Sequence, residues 1–231
     1  MVHIFVDFEM NSIAKELFDK IQNCHMEIIE IGAVALDDNM SEIGSYKRYI
    51  KPQYNDHIMP RYVELTGIND RTVKDAENFT NQFFDFLKWC GSFEGKFGYQ
   101  MYSWSKCDRD QLKRELKQKK VVGRNRADVK WMLGHWRDYQ KEFSMLLGIG
   151  HPFSLDKAVD LVGCSFVGRM HDALCDARNT SRLFISANDE NFKERLEQIK
   201  EVLRKEEEEK AKSKKLIDSG ENVKNVNLDK I

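Results

Sequence analysis

The sequence predicts an α/β fold: a mixed β-sheet flanked by helices, with a charged helical extension at its C-terminal end. Three observations carry this. Three β-like runs fall within the first fifty residues. Helical periodicity takes over after Asn78 and is interrupted by one more apolar run at 97–104. Strands that come first and are then mixed with helices build layers around one core.

The elements follow in order. Residues 2–6, VHIFV, are short, apolar and partly β-branched, the pattern of a buried central strand. Residues 27–36, EIIEIGAVAL, predict a second strand, and residues 45–50, SYKRYI, an alternating third that ends at Lys51-Pro52. The three are close enough in sequence for an antiparallel meander. Pro60 and Gly67 bracket a short helix. Phe79, Phe83, Phe84, Phe86 and Leu87 set a helical stripe over 78–89. After the strand at 97–104 the period is helical again from Asp108, with Leu112 and Leu116 four apart. Trp136, Tyr139, Phe143 and Leu147 predict one helix over 131–147. Ser154 opens another that stops at Gly163, and 173–187 is the last packed helix.

The character changes near Asn188. Residues 188–217 are dominated by Lys, Arg and Glu, with acid before base at four-residue spacing, which supports a solvated helix. Residues 218–231 are polar and predicted disordered. The division is 1–187 as the main domain, 188–217 as a helical extension and 218–231 as a tail. The extension is either a docking helix for a protein partner or a solvated appendage.

Composition bounds the function. The chain has 231 residues, 37 Lys+Arg and 38 Asp+Glu, enough for one good core. No apolar run approaches the roughly 18 residues of a membrane span, so no membrane role is expected. The start, MVHIFVDFEM, lacks the basic leader of a signal peptide. Five cysteines with no CxxC spacing argue for reduced thiols and a cytoplasmic setting. Within 113–130 there are eight basic residues and two acids, a local excess that suits either a phosphate backbone or a solvated face.

Three constellations carry chemistry. Asp7 and Glu9 are two apart on a strand and share a face. Paired carboxylates repel unless a cation lies between them, and carboxylate oxygens suit a hard ion such as Mg²⁺ or Mn²⁺; an ordinary strand end in solvent is the plain alternative. His171 precedes the last core helix and Asp176 lies about one turn inside it. A histidine at the mouth of a site is suited to taking a proton from water, and a carboxylate in a core helix is costly unless paired or metal-bound. Asp172 reads as an exposed residue at the helix start. Asp108 sits where the 97–104 strand gives way to a helix, placed either to point over the sheet's end or to cap the helix.

Taken together, DFEM (7–10), SWSKCDRDQL (103–112) and HDALCDARNT (171–180), with EIIEIGAV (27–34), LTGI (65–68) and WRDYQ (136–140), resemble the DEDDh 3′–5′ exonucleases of the RNase H-like fold over residues 1–186. Within that family the resemblance is strongest to the RNA-trimming branch with sporulation-inhibitor-like bacterial members. It implies that Asp7, Glu9, Asp108 and Asp176 hold two divalent ions, Mg²⁺ or Mn²⁺. Asp7 would bridge both, with Glu9 and Asp176 on the nucleophile side. His171 would be the general base, and single-stranded RNA or DNA would lose nucleoside 5′-monophosphates from its 3′ end. It further implies that Met10 and Leu65 wedge the last base while Thr66 and backbone near Asn11 contact its 3′-OH. Core packing is the competing role for Met10 and Leu65. Ser105 departs from the family, which often has Gly there.

Three other readings compete. One is a catalytically weak nucleic-acid-binding or regulatory protein on the same fold. Another is a helical HD-type phosphohydrolase, suggested by His171-Asp172, which the strand-rich first hundred residues oppose. The third is a pure interaction protein acting through the charged extension.

Overall fold

The computed structural model describes residues 1–21, 24–93, 98–121 and 126–218. In chain order these form β1 (Val2–Ser12), a 3-10 turn (Lys15–Lys20), β2 (Met26–Leu36), β3 (Glu42–Tyr49), α1 (Pro60–Thr66), α2 (Asp70–Val73) and α3 (Phe79–Gly91). Then follow β4 (Tyr99–Ser103), α4 (Lys106–Gln118), α5 (Arg126–Gly134), β5 (Trp136–Asp138), α6 (Tyr139–Leu147), α7 (Leu155–Leu161), α8 (Ala173–Ala187) and α9 (Phe192–Asp218).

The sheet order is β3-β2-β1-β4-β5. The first three strands form the expected antiparallel meander, and β4 and β5 add in parallel. Alternation along β1 assigns its two faces. Ile4, Val6 and Phe8 join Phe79, Phe83 and Phe86 of α3, Leu112 and Leu116 of α4 and Met132 of α5 in one core cluster. Phe5 points the other way, 5.2 Å from the Phe184 ring of α8 and 5.0 Å from that of Tyr102. Asp7 and Glu9 share the face of Phe5, toward α8.

Three expectations are corrected. β1 does not end at residue 6; it runs on through the acids to Ser12, with an irregularity in its pairing between Glu9 and Met10. The helix expected over 131–147 is two helices separated by the short strand β5. Trp136 belongs to that strand, pairs in register with Met101, and donates from its indole Nε1 to Ser103 Oγ at 2.9 Å. Its three-residue spacing to Tyr139 imitates a helical stripe because α6 starts immediately after β5.

The basic run is also not one uniform surface. Lys119 is internal, bridging Glu27 at 3.0 Å and Glu115 at 2.6 Å, with all three side chains almost fully buried. Glu27 in turn accepts from the backbone N–H groups of Gln53 and Tyr54. This triad welds α4 and the 51–55 loop to β2. Lys113, Lys117, Lys120 and Lys130 border a separate groove of about 570 Å³. Arg124 of the same run lies outside the described residues.

Residues Met1–Asn188 form one compact unit, and a second begins at Asp189. The described part of the second is α9, stitched along its surface by ion pairs such as Lys200–Glu197 (3.0 Å) and Lys205–Glu201 (3.4 Å). The tail expected to be disordered lies, from 219 on, outside the described residues. Among the described residues no helix is long and apolar enough to cross a membrane.

Candidate active site

Three elements deliver four carboxylates to one cleft of about 640 Å³: Asp7 and Glu9 from β1, Asp108 from α4 and Asp176 from α8, with His171 beside them. β1 supplies its pair because period-2 alternation puts both on the α8 face. Asp108 lies in the first turn of α4, but it is not the cap. Ser105 is, accepting from Cys107 N–H at 3.1 Å. Asp108 is thereby free to reach over the sheet, where its Oδ1 accepts from Phe8 N–H at 3.2 Å. Asp176 is one turn into α8, whose N-cap is Asp172, accepting from Cys175 N–H at 3.2 Å.

His171 sits just before α8 with φ of 59°, a left-handed conformation uncommon for a residue with a side chain. Its backbone N–H donates to Asp176 Oδ2 at 3.2 Å, which fixes that conformation. Ligand atoms of Glu9, His171 and Asp176 all lie within 4.8 Å of one another.

Crowding four acids raises all their pKa values. Burial is the largest cause for each. Asp7 is pushed well above the usual carboxylate range, first by burial and then by Asp108, Asp176 and Glu9. Glu9 rises to about 8, through burial and then the charges of Asp176 and Glu30. Asp108 and Asp176 rise to about 7; burial again leads, opposed by the N–H bonds from Phe8 and His171 respectively. Such a cluster must take up protons or cations. Asp176 Oδ1 is buried with no hydrogen-bond partner among the described residues, an orphaned acceptor that a cation would satisfy. The donor set is carboxylate oxygen throughout, so the residues fit hard divalent ions.

The structure thus brings together the five residues that the resemblance to the DEDDh exonucleases singled out. The four proposed nucleotide contacts lie outside this cleft. Met10 is partly buried against the main core. Asn11 is fully buried; its side chain donates to His57 O at 3.2 Å and accepts from Met59 N–H at 3.0 Å, tying β1 to the segment before α1. Leu65 is exposed near the end of α1. Thr66 Oγ1 donates to Tyr62 O at 2.7 Å and accepts from Ile68 N–H. The Arg169 guanidinium donates to the carbonyls of Glu64 and Leu65, both at 3.3 Å, and so joins the end of α1 to the loop that carries His171.

Sequence reasoning missed the cleft's apolar wall. Phe153, Leu155, Phe166 and Met170 line it, with Trp104. Phe153, Phe166 and Met170 come from irregular segments flanking α7, where no period marks them, and Leu155 is the first residue of α7 itself. Trp104 is packed, as its place at the end of a strand suggests; its indole Nε1 donates to Phe153 O at 3.3 Å.

A family model described as Exonuclease (RNase_T) matches residues 4–184. The chain belongs to the exonuclease family. Among its relatives is the 3′–5′ exonuclease crn-4 of Caenorhabditis elegans, 28% identical over a 192-residue alignment that covers 78% of this chain and 60% of that protein. Another is ERI1 exoribonuclease 2 of Xenopus laevis, 27% identical over 176 residues, 68% of this chain and 25% of that one. The chain therefore spans less than two thirds of the length of the first relative and a quarter of the second. The nuclease domain of 3′hExo, a DEDDh family member bound to rAMP, superimposes with a TM-score of 0.68 at 18% identity, covering 80% of this chain and 90% of that one. The mixed sheet flanked by helices is accordingly the RNase H-like fold of the DEDDh nucleases. The HD-type reading is excluded, since His171 and Asp172 flank the start of α8 on this sheet.

Proposed function

We propose that this exonuclease-family chain degrades single-stranded nucleic acid, RNA or DNA, from its 3′ end, releasing nucleoside 5′-monophosphates. One observation carries the reading: four carboxylates from three elements converge on a cleft that holds an orphaned buried oxygen and an exposed histidine at its rim. Asp7, Glu9, Asp108 and Asp176 would hold two divalent cations, Mg²⁺ or Mn²⁺, which when bound stabilise charge on the attacking and leaving oxygens.

The chain's own residues do the rest. His171 takes a proton from the attacking water, whose oxygen bonds to phosphorus as the bond to the 3′-oxygen of the preceding nucleotide breaks. The leaving 3′-oxygen takes up a proton from solvent, so the shortened strand ends in a new 3′-OH, and the released nucleotide carries the 5′-phosphate. Asp176 holds the His171 backbone through its N–H, so base and metal ligand move as one piece. The wall of Phe153, Phe166 and Met170 gives a nucleoside an apolar surface whose contacts do not depend on sequence. Leu65, exposed near the end of α1, and Met10 on β1 stand as the candidate 3′-terminal contacts, whereas Asn11 and Thr66 are buried with their side chains bonded inside the protein. Five cysteines with no CxxC spacing would suit a reducing, cytoplasmic setting.

The test is a time course on 5′-labelled RNA and DNA of one sequence with Mg²⁺ or Mn²⁺, with EDTA and Asp7→Ala as controls. A ladder shortening from the 3′ end, absent with EDTA and in the variant, is the expected result. No shortening on either strand, very short oligonucleotides included, would favour a binding or regulatory protein.

A further inference from the structure

Behind the acidic cleft lies a second set of charges that the chemistry above does not use. Glu30 of β2 pairs in register with Glu9 and is buried. Its Oε2 accepts from Ala173 N–H at 3.0 Å, at the first residue of α8. Its Oε1 lies 3.0 Å from Lys47 Nζ, and the same ammonium lies 2.5 Å from Asp172 Oδ2 at the N-cap of α8. Lys47 and Asp7 are the two register partners of Gly32, one on each side of β2. A Cβ on Gly32 would fall 2.1 Å from the carbonyl carbon of Ala173. The N-terminus of α8 therefore sits directly on β2 at Gly32, with Lys47 and Glu30 gripping it.

We propose that Glu30, Lys47 and Asp172 are positioning residues: a socket that holds the start of α8 so that His171 and Asp176 stay opposed to Asp7 and Glu9. The inference rests on the exonuclease reading for its kinetic consequence but not for its structural one. Asp172 and Asp176 lie four residues apart, one turn of the same helix. A tilt or slide of that turn moves His171 and Asp176 together relative to β1. Outer partners of this kind typically govern metal affinity and turnover by about 10–100-fold.

The experiment compares Lys47→Met, Asp172→Asn and their double variant with the wild-type chain. Asn keeps the N-cap acceptor, so the change removes the ion pair rather than the cap. Each single variant is expected to lower kcat by at least about tenfold with KM nearly unchanged and to weaken Mn²⁺ binding by calorimetry to a similar degree. The double variant should lose little more than either single, because the two act through one contact. Lys47→Arg should restore most of both. Melting temperature in EDTA reports folding separately; should Lys47→Met unfold, Glu30→Gln with Lys47→Met removes both charges and carries the same expectation. Wild-type kcat and Mn²⁺ affinity in the folded variants, or strictly additive losses, would overturn the socket. A wild-type chain that binds Mn²⁺ but shortens no strand would instead overturn the exonuclease reading, leaving the calorimetry to decide the socket.

Discussion

Asp7 stands among three other carboxylates in the cleft, and two consequences belong to this single position. Replacing it by Asn removes an oxygen ligand and should cut exonuclease turnover by on the order of a thousandfold or more. The same change removes a desolvated charge, so the melting temperature in EDTA should rise. A variant that is inactive and less stable in EDTA would contradict the electrostatic account. The pH dependence follows from the same cluster. The folded pKa values lie above the ordinary ones, Glu9 at about 8 and Asp108 and Asp176 at about 7. Between roughly pH 4 and 8 the folded chain therefore binds more protons than the unfolded chain, and stability is lost as pH rises through that window. Melting temperature in EDTA should fall from pH 5 to pH 8, and added Mn²⁺ should oppose the fall. At this scale Asp7 and Glu9 were legible because strand alternation fixes their common face. Lys47 and Glu30 were not, since their partners lie 125 and 143 residues away in sequence.

The elements are held by two different devices, and each yields a test. α8 meets β2 through the absence of a side chain at Gly32, so Gly32→Ala forces backbone apart. Overpacking typically costs about 1–3 kcal/mol, and a clash with main chain belongs at the upper end. Urea unfolding should show the loss, and activity should fall with it because α8 carries Asp176. α4 meets β2 through the buried Glu27–Lys119–Glu115 triad. Lys119→Met would strand two buried acids and should cost about 3–5 kcal/mol, measurable as a lower urea midpoint. Periodicity located α3 and α4, since each spans enough residues to show its period, and the short connections between the first three β-like runs suggested the antiparallel meander. It failed at β5, three residues long between two helices, where an apolar spacing of three is ambiguous between the two periods. Lys119 was read among surface cations because charge runs carry no information about burial.

For the whole molecule, the exonuclease match ends at residue 184 and the first compact unit at Asn188. A chain cut after Asn188 is expected to fold cooperatively and to shorten a 3′ end at the full-length rate. A loss of activity with the fold intact would give the charged extension a role in substrate handling. The sequence by itself determined the α/β class, because periodicity is written within single elements, and it pointed to the five acid and histidine residues through motifs that resemble the DEDDh exonucleases. Only the tertiary structure decided that these residues meet with one carboxylate oxygen left unpartnered, that an apolar wall faces them, and that a lysine on β3 grips the helix behind them. Those facts depend on contacts between elements a hundred residues apart, which no local pattern in the chain records.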